Sequence, residues 1–202
     1  MSESEQDPRI SSFTGATSVP QRGGGPNLDS GSDRYLSAML RNNTDLVAAG
    51  ADGCNSSMCA RYDVVNISGG GASVSQDIDL AAGADGLLYP AVTVDGNGDG
   101  WIVYSEASSS QYAAVVLGKW SGVTWNSGTA SGALLIQGVA RYCDGSNGTT
   151  CSGSGQNGTD RWGDYSALQA DPSIGSQVWG TGEYGSTATN QIDWGTVFAR
   201  AT

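Results

Sequence analysis

The sequence contains no histidine. That removes Ser-His-Asp catalysis, Cys-His catalysis and every histidine-ligated zinc site. Lysine is nearly missing too, since Lys119 stands alone. In all, 9 Lys and Arg face 20 Asp and Glu, for a net charge of -11. Nucleic-acid binding needs a basic face, so that class is excluded. Charged residues are 14% of the chain, against ~25% in ordinary soluble domains. No run approaches the ~18 apolar residues of a membrane-spanning helix. The opening MSESEQDPRI has neither the basic nor the apolar region of an export signal. Glycine has no three-residue period, which excludes collagen.

What is present is glycine, 31 of 202 residues, about twice the usual ~7%. Hydrophobic residues, at 38%, suffice for a modest core, and the length suits one domain or two small ones. Most of the acidic charge is aspartate, a turn residue. A solvated surface accounts for it, and a salt-adapted surface is the sharper alternative.

The cysteines form two local pairs, Cys54 with Cys59 and Cys143 with Cys151, each bracketing a Gly/Ser/Asn-rich loop. Two short bridges are the simplest pairing. Free thiols and a four-thiolate zinc site are the rivals, although the Cys143–Cys151 spacing suits a zinc knuckle poorly. Disulfides imply an oxidising compartment. Sequons at Asn42, Asn55, Asn66, Asn147 and Asn157 also point to exposure. The expected location is extracellular or at a cell surface, with upstream sequence missing.

Residues 1–27 read as a flexible polar arm broken by Gly23–Pro26. From Asp29 onward no helical periodicity appears. Short alternating runs recur between turn signals: RYLSAML, DLVAAGA, YDVVNIS, SVSQDIDL, PAVTVD, GWIVYSEA, YAAVVLGKW, SALQAD, QVWGTGEY and WGTVFAR. The fold class is therefore all-β.

An internal repeat organises these strands. Units open at Tyr35, Tyr89 and Tyr165, pass through hairpin tips RNNTD, DGNGDG and DPSIGS, and add a third strand. Units of three to four antiparallel strands are propeller blades. Blades are expected over about 28–80, 87–137 and 160–202, with a Cys-bearing insertion over 121–159. Three blades make a partial propeller, so missing blades or a second copy would be needed to close a ring. A β-sandwich is the alternative.

The C-terminal stretch contains Arg161–Ser166 (RWGDYS), Asp171-Pro172, Trp179, Glu183-Tyr184 and Trp194–Thr196 (WGT). It resembles the closing blade of secreted bacterial β-propellers of sialidase-like type. Asp33–Ala38 (DRYLSA) with Arg41-Asn42, and YPAVTVDGNGDGWIVYSEAS, resemble earlier strands of that group. The resemblance covers most of 28–202 and only the C-terminal part of such a propeller. It implies a binding or scaffolding module for glycan or protein, a fragment of a glycoside hydrolase, or a structural segment of an adhesin. The arginine triad and Tyr-Glu pair of a sialidase are not assembled here. The Asp-box is only echoed, at Ser121–Asn126, without its Asp.

Three groups are candidate sites. Asp95, Asn97 and Asp99, with Gly100, match the alternating oxygen ligands of a calcium loop, with Glu106 at its twelfth position. The competing reading is a tight hairpin tip. Arg161, Asp164, Tyr165 and Glu183, with Tyr184, could line a channel, with Asp164 and Glu183 as acid and base for a sugar. Their structural reading is an Arg161–Asp164 pair and aromatic packing between blades. Trp120 and Trp125, near the Gly/Ser-rich insertion, are candidates for sugar stacking, whereas Trp101, Trp179 and Trp194 read as core. A serine hydrolase is rejected, because no base serves the serines.

Overall fold

The computed structural model describes residues 10–15, 18–31, 34–54, 57–144, 158–186 and 194–202. Among them the chain is all-β, with one short 3-10 turn at Ser68–Gly70 and no α-helix. Three antiparallel meanders follow one another along the chain, and none closes on itself. The first sheet is β2 (Arg34–Arg41), β3 (Asp45–Cys54), β4 (Ser57–Asn66) and β5 (Ser73–Leu80). The second is β6 (Gly86–Val94), β7 (Gly100–Ser108), β8 (Gln111–Trp120) and β9 (Ala133–Ile136). The third is β11 (Ala167–Ala170), β12 (Val178–Gly185) and β13 (Trp194–Ala201). A small parallel pair joins β1 (Asn27–Leu28) to β10 (Thr159–Asp160). The sheets stack in chain order, with β6 against the first sheet and β11 and β12 against the second. This all-β arrangement of open antiparallel sheets is consistent with a partial propeller or a sandwich.

The second sheet is covered on both faces, which is why β6, β7 and β8 are apolar almost throughout rather than alternating. One face meets the first sheet through Val92, Ile102, Tyr104 and Val116, against Val47, Tyr62, Val64 and Leu80. The other meets the third through Ala91, Trp101, Val103, Val115 and Leu117, against Leu168, Val178 and Val197. Pro90 has no N–H to donate and sits on β6, the edge strand of its sheet, where the register slips between Leu88 and Ala91. Tyr89 sits in that bulge with φ 49°. The first repeat shows the same irregularity, at Tyr35 in β2.

The described part of the N-terminal arm touches the sheets. Residues 10–15 and 18–27 pack against the sheets, and residues 1–9 lie outside the described set. Val19 is buried and pairs with Leu28. The buried Gln21 side chain bridges Pro26 to both backbone groups of Tyr142. The Ser11 and Thr14 N–H groups donate to Asp77 and Asp52. These backbone donors find carboxylate partners on the first sheet, which a composition reading cannot anticipate.

Those carboxylates surround Arg61 on the outer face of the first sheet. The guanidinium is 3% exposed, 3.0 Å from Asp52, 3.3 Å from Asp63 and 3.7 Å from Asp79, and paired with Asp77. It also donates to the Ser11 carbonyl and lies 5.3 Å from the Phe13 ring centre. Burial, against the opposing pull of Tyr35 and Arg61, raises Asp63 to about 6. One cation among four carboxylates leaves a local excess of negative charge, which favours holding a proton there.

Cys54 and Cys59 form a disulfide at the end of the β3–β4 hairpin. Cys143 is buried and disulfide-bonded. Its expected partner, Cys151, lies outside the described residues, as do Asn55, Asn147 and Asn157 of the sequons.

Candidate functional site

The segment that leads into β11 builds a cleft. Trp162 turns inward, is 2% exposed, and meets Tyr142 edge-on at 5.3 Å. This anchor leaves Arg161, Gly163, Asp164 and Tyr165 around a cleft of about 300 Å³, which Tyr142, Glu183 and Trp194 complete. Glu183 comes from β12 and Trp194 opens β13. Gly185 pairs with Trp194 and Glu183 with Thr196, so the carboxylate and the indole are diagonal neighbours on the outer face of the third sheet.

Gly163 makes the cleft possible. A Cβ there would overlap the Glu183 carboxylate, and the Gly163 N–H instead donates to it. Burial raises Glu183 above the usual carboxylate range; the Gly163 N–H opposes that shift, while the Asp164 charge adds to it. Arg161 and Asp164 form an ion pair at the surface, a geometry worth little to stability. Burial, with Asp144, Asp160 and Glu183 nearby, pushes the Tyr142 hydroxyl up to about 12. Tyr165 and Trp194 are open, at 73% and 53% exposure. The cleft thus combines two open aromatic faces, a half-buried carboxyl and an Arg-carboxylate pair.

Arg161, Asp164, Tyr165 and Glu183, expected from the sequence, all line this one cleft. Tyr184 does not join them, because alternation along β12 sends it to the opposite face, onto the third-sheet core. Tyr142 and Trp194 were missed. The register of β12 against β13, which places Trp194 beside Glu183, was the signal for the second. Tyr142, next to Cys143 in an irregular stretch, carried none.

Trp101 is core as expected, at 3% exposure, but the other four tryptophan assignments reverse. Trp120 and Trp125 were expected to be stacking platforms, but they pack as core. Trp125 is 6% exposed, its ring 4.1 Å from that of Trp120, which in turn meets Tyr62 edge-on at 5.1 Å. The Gln76 side chain clamps both backbone groups of Trp125, at 2.6 and 2.7 Å. The stretch after β8 therefore folds back over the sheets instead of standing off them. Trp179 and Trp194, expected in the core, are 48% and 53% exposed, because residues 161–165 cover the outer face of the third sheet only around Glu183.

The Asp95 loop is built as a hairpin tip. Asp95 accepts the N–H groups of Asn97 and Asp99 and the Trp101 indole N–H, at 2.9–3.0 Å. Lys119 places its ammonium 3.8 Å from Asp95 and 3.6 Å from Asp99. Although burial works to raise it, these donors hold Asp95 below the usual carboxylate range. Lys119 lies beside both Asp95 and Asp99, so an ion held between them would have to displace it. Glu106 instead accepts from Gln111. Among the described residues no group of three acidic or cysteine ligands is arranged for a metal.

No protein-family model matches the chain, and neither a curated protein nor a solved structure matches it.

Proposed function

We propose that this chain is an exported carbohydrate-binding β-propeller module. The observation that carries the reading is the convergence of Tyr165 and Trp194, both open, with Glu183 and Asp164 in one cleft. Pyranose rings present C–H faces to aromatic side chains and hydroxyl pairs to carboxylates, and this cleft offers both partners. The disulfide at Cys54–Cys59 supports an extracellular setting.

The test is calorimetric titration of the folded chain with a panel of oligosaccharides. A saccharide should bind, and Glu183→Gln or Trp194→Ala should weaken it at least about tenfold, the scale of one lost hot-spot contact. Melting temperatures should stay near wild type, since both side chains are at least partly open. Absence of binding across neutral and acidic sugars would overturn the reading.

A second reading rests on one observation, the raised carboxyl of Glu183 beside Asp164. A carboxyl raised by burial with a second carboxyl beside it is the kind of pair that serves as acid and base in glycoside hydrolysis. Turnover of a bound sugar that disappears in Asp164→Asn would establish it. Binding without turnover leaves the module reading in place.

A further inference from the structure

The repeat holds a side-chain arrangement that occurs twice. In the second sheet, the tip residue Asp95 accepts the Trp101 indole N–H at 3.0 Å, and Lys119 on the third strand lies 4.6 Å from that ring centre. In the third sheet, Asp171 accepts the Trp179 indole N–H at 2.9 Å, and Arg200 on the third strand lies 5.8 Å from that ring. The two faces are equivalent, but their surroundings differ. Trp101 is covered by the third sheet and is 3% exposed, whereas Trp179 is 48% exposed and its neighbour Phe198 78%. The outer face of the third sheet therefore has the design of a face that receives another sheet, with nothing described upon it around Trp179 and Phe198.

We infer that the lower half of this face, around Trp179, Thr181, Phe198 and Arg200, docks a second copy of this chain about a two-fold axis, each copy covering the same face of the other. Charge decides between this and a head-to-tail stack. A head-to-tail stack would press Phe198 and Trp179 onto the outer face of the first sheet. That face has one arginine among four aspartates and is partly covered by residues 10–15. Burying those carboxylates under aromatic rings would cost far more than the rings gain. The lower third-sheet face balances Arg200 against Asp171 and adds only the neutral Gln169 and Thr181 to its aromatic and small residues, so it is complementary to itself. Opposite Phe198, Thr181 and Ala167 leave room for a partner's ring. The cleft begins further along the same strands, at Glu183 and Trp194, about 7 Å from Thr181 and about 13 Å from Phe198 by the rise of a strand.

Sedimentation equilibrium tests this on the whole chain. Wild type should form a dimer of twice 20.6 kDa. Phe198→Lys, at an exposed position, should keep the wild-type melting temperature and raise the dissociation constant at least about tenfold. Leu134→Lys, at an exposed apolar position on β9, should leave the dimer intact. A monomeric wild type would overturn the inference, as would a dimer that survives Phe198→Lys or is lost equally in Leu134→Lys.

Discussion

Replacing Arg61 with methionine is the most demanding test of how the first sheet is held. Methionine fills much of the same volume without the charge. Four carboxylates then lose their common cation, and two of them, Asp52 and Asp63, are only 1% exposed. Removing one partner of a buried ion pair costs about 3–5 kcal/mol, because the charge left behind stays desolvated. For a chain of this size that corresponds to a fall in melting temperature of roughly 10 °C. The deficit should depend on pH. Asp63 already titrates at about 6 rather than its ordinary 3.8. Between those values the folded chain binds more protons than the unfolded one, so this group's contribution rises as pH falls through about 6 and is lost as pH rises. Without Arg61 that window extends upward, and acidification to about pH 5 should recover part of the loss. Asp77 is held below its usual range by the Ser11 N–H and Arg61, against its own burial, so it works in the opposite sense, at lower pH. Urea unfolding of both proteins near pH 7 and near pH 5 reads the difference. Hydrogen exchange should show residues 10–15 released in the variant, since Arg61 also holds the Ser11 carbonyl. A loss below about 1 kcal/mol at neutral pH, the ceiling for an exposed pair, or a deficit that grows on acidification, would refute the reasoning.

Trp125→Ala should destabilise the chain by about 3–5 kcal/mol, the cost of emptying a buried aromatic site, while leaving sugar affinity unchanged in calorimetry. An equal loss of binding would restore Trp125 as a ligand platform. Replacing Cys54 and Cys59 together by alanine should cost roughly 2 kcal/mol of unfolding free energy, the loop-closure entropy of so short a loop. An unchanged denaturation midpoint would show that the hairpin holds its ends together without the bridge.

All ten strands expected from alternation and turn signals are present, and the three hairpin tips fall where Asn-, Asp- and Gly-rich clusters place them. These features are local, so the sequence carries them openly. The strands not foreseen are β1, β9 and β10. They are two to four residues long; β1 and β10 pair with each other from distant parts of the chain, and β9 joins β8 only after an irregular connection. The cleft was legible as a set of residues because 161–165 are adjacent and Glu183 follows within one hairpin. What composition could not supply was which face of a sheet is covered. Trp101 and Trp179 sit in equivalent positions with equivalent partners, yet only one is buried, and that difference belongs to the stack rather than to the strand. The same limit misplaced Trp120 and Trp125. Their Gly/Ser-rich surroundings suggested an exposed loop, whereas Gln76, more than forty residues upstream, holds that loop down.

The two ends of the stack follow opposite solutions to the same problem. An exposed sheet face invites another sheet, and natural sheets are guarded by charge where pairing would do harm. The first sheet presents Asp52, Asp63, Asp77 and Asp79 outward, with Arg61 to hold them and residues 10–15 laid across them. The third presents Trp179, Trp194 and Phe198. If both ends were apolar, copies could add head to tail without limit, since a heterologous contact that does not close gives an open filament. With one end charged and capped, only the self-complementary end remains, and association about a two-fold axis stops at two copies. The buried arginine therefore bears on assembly as well as stability: Arg61→Met, which should release residues 10–15, leaves the charged end uncapped but more acidic, and the variant should not form filaments. Filaments in that variant would show that the strap, not the carboxylates, guards the first sheet.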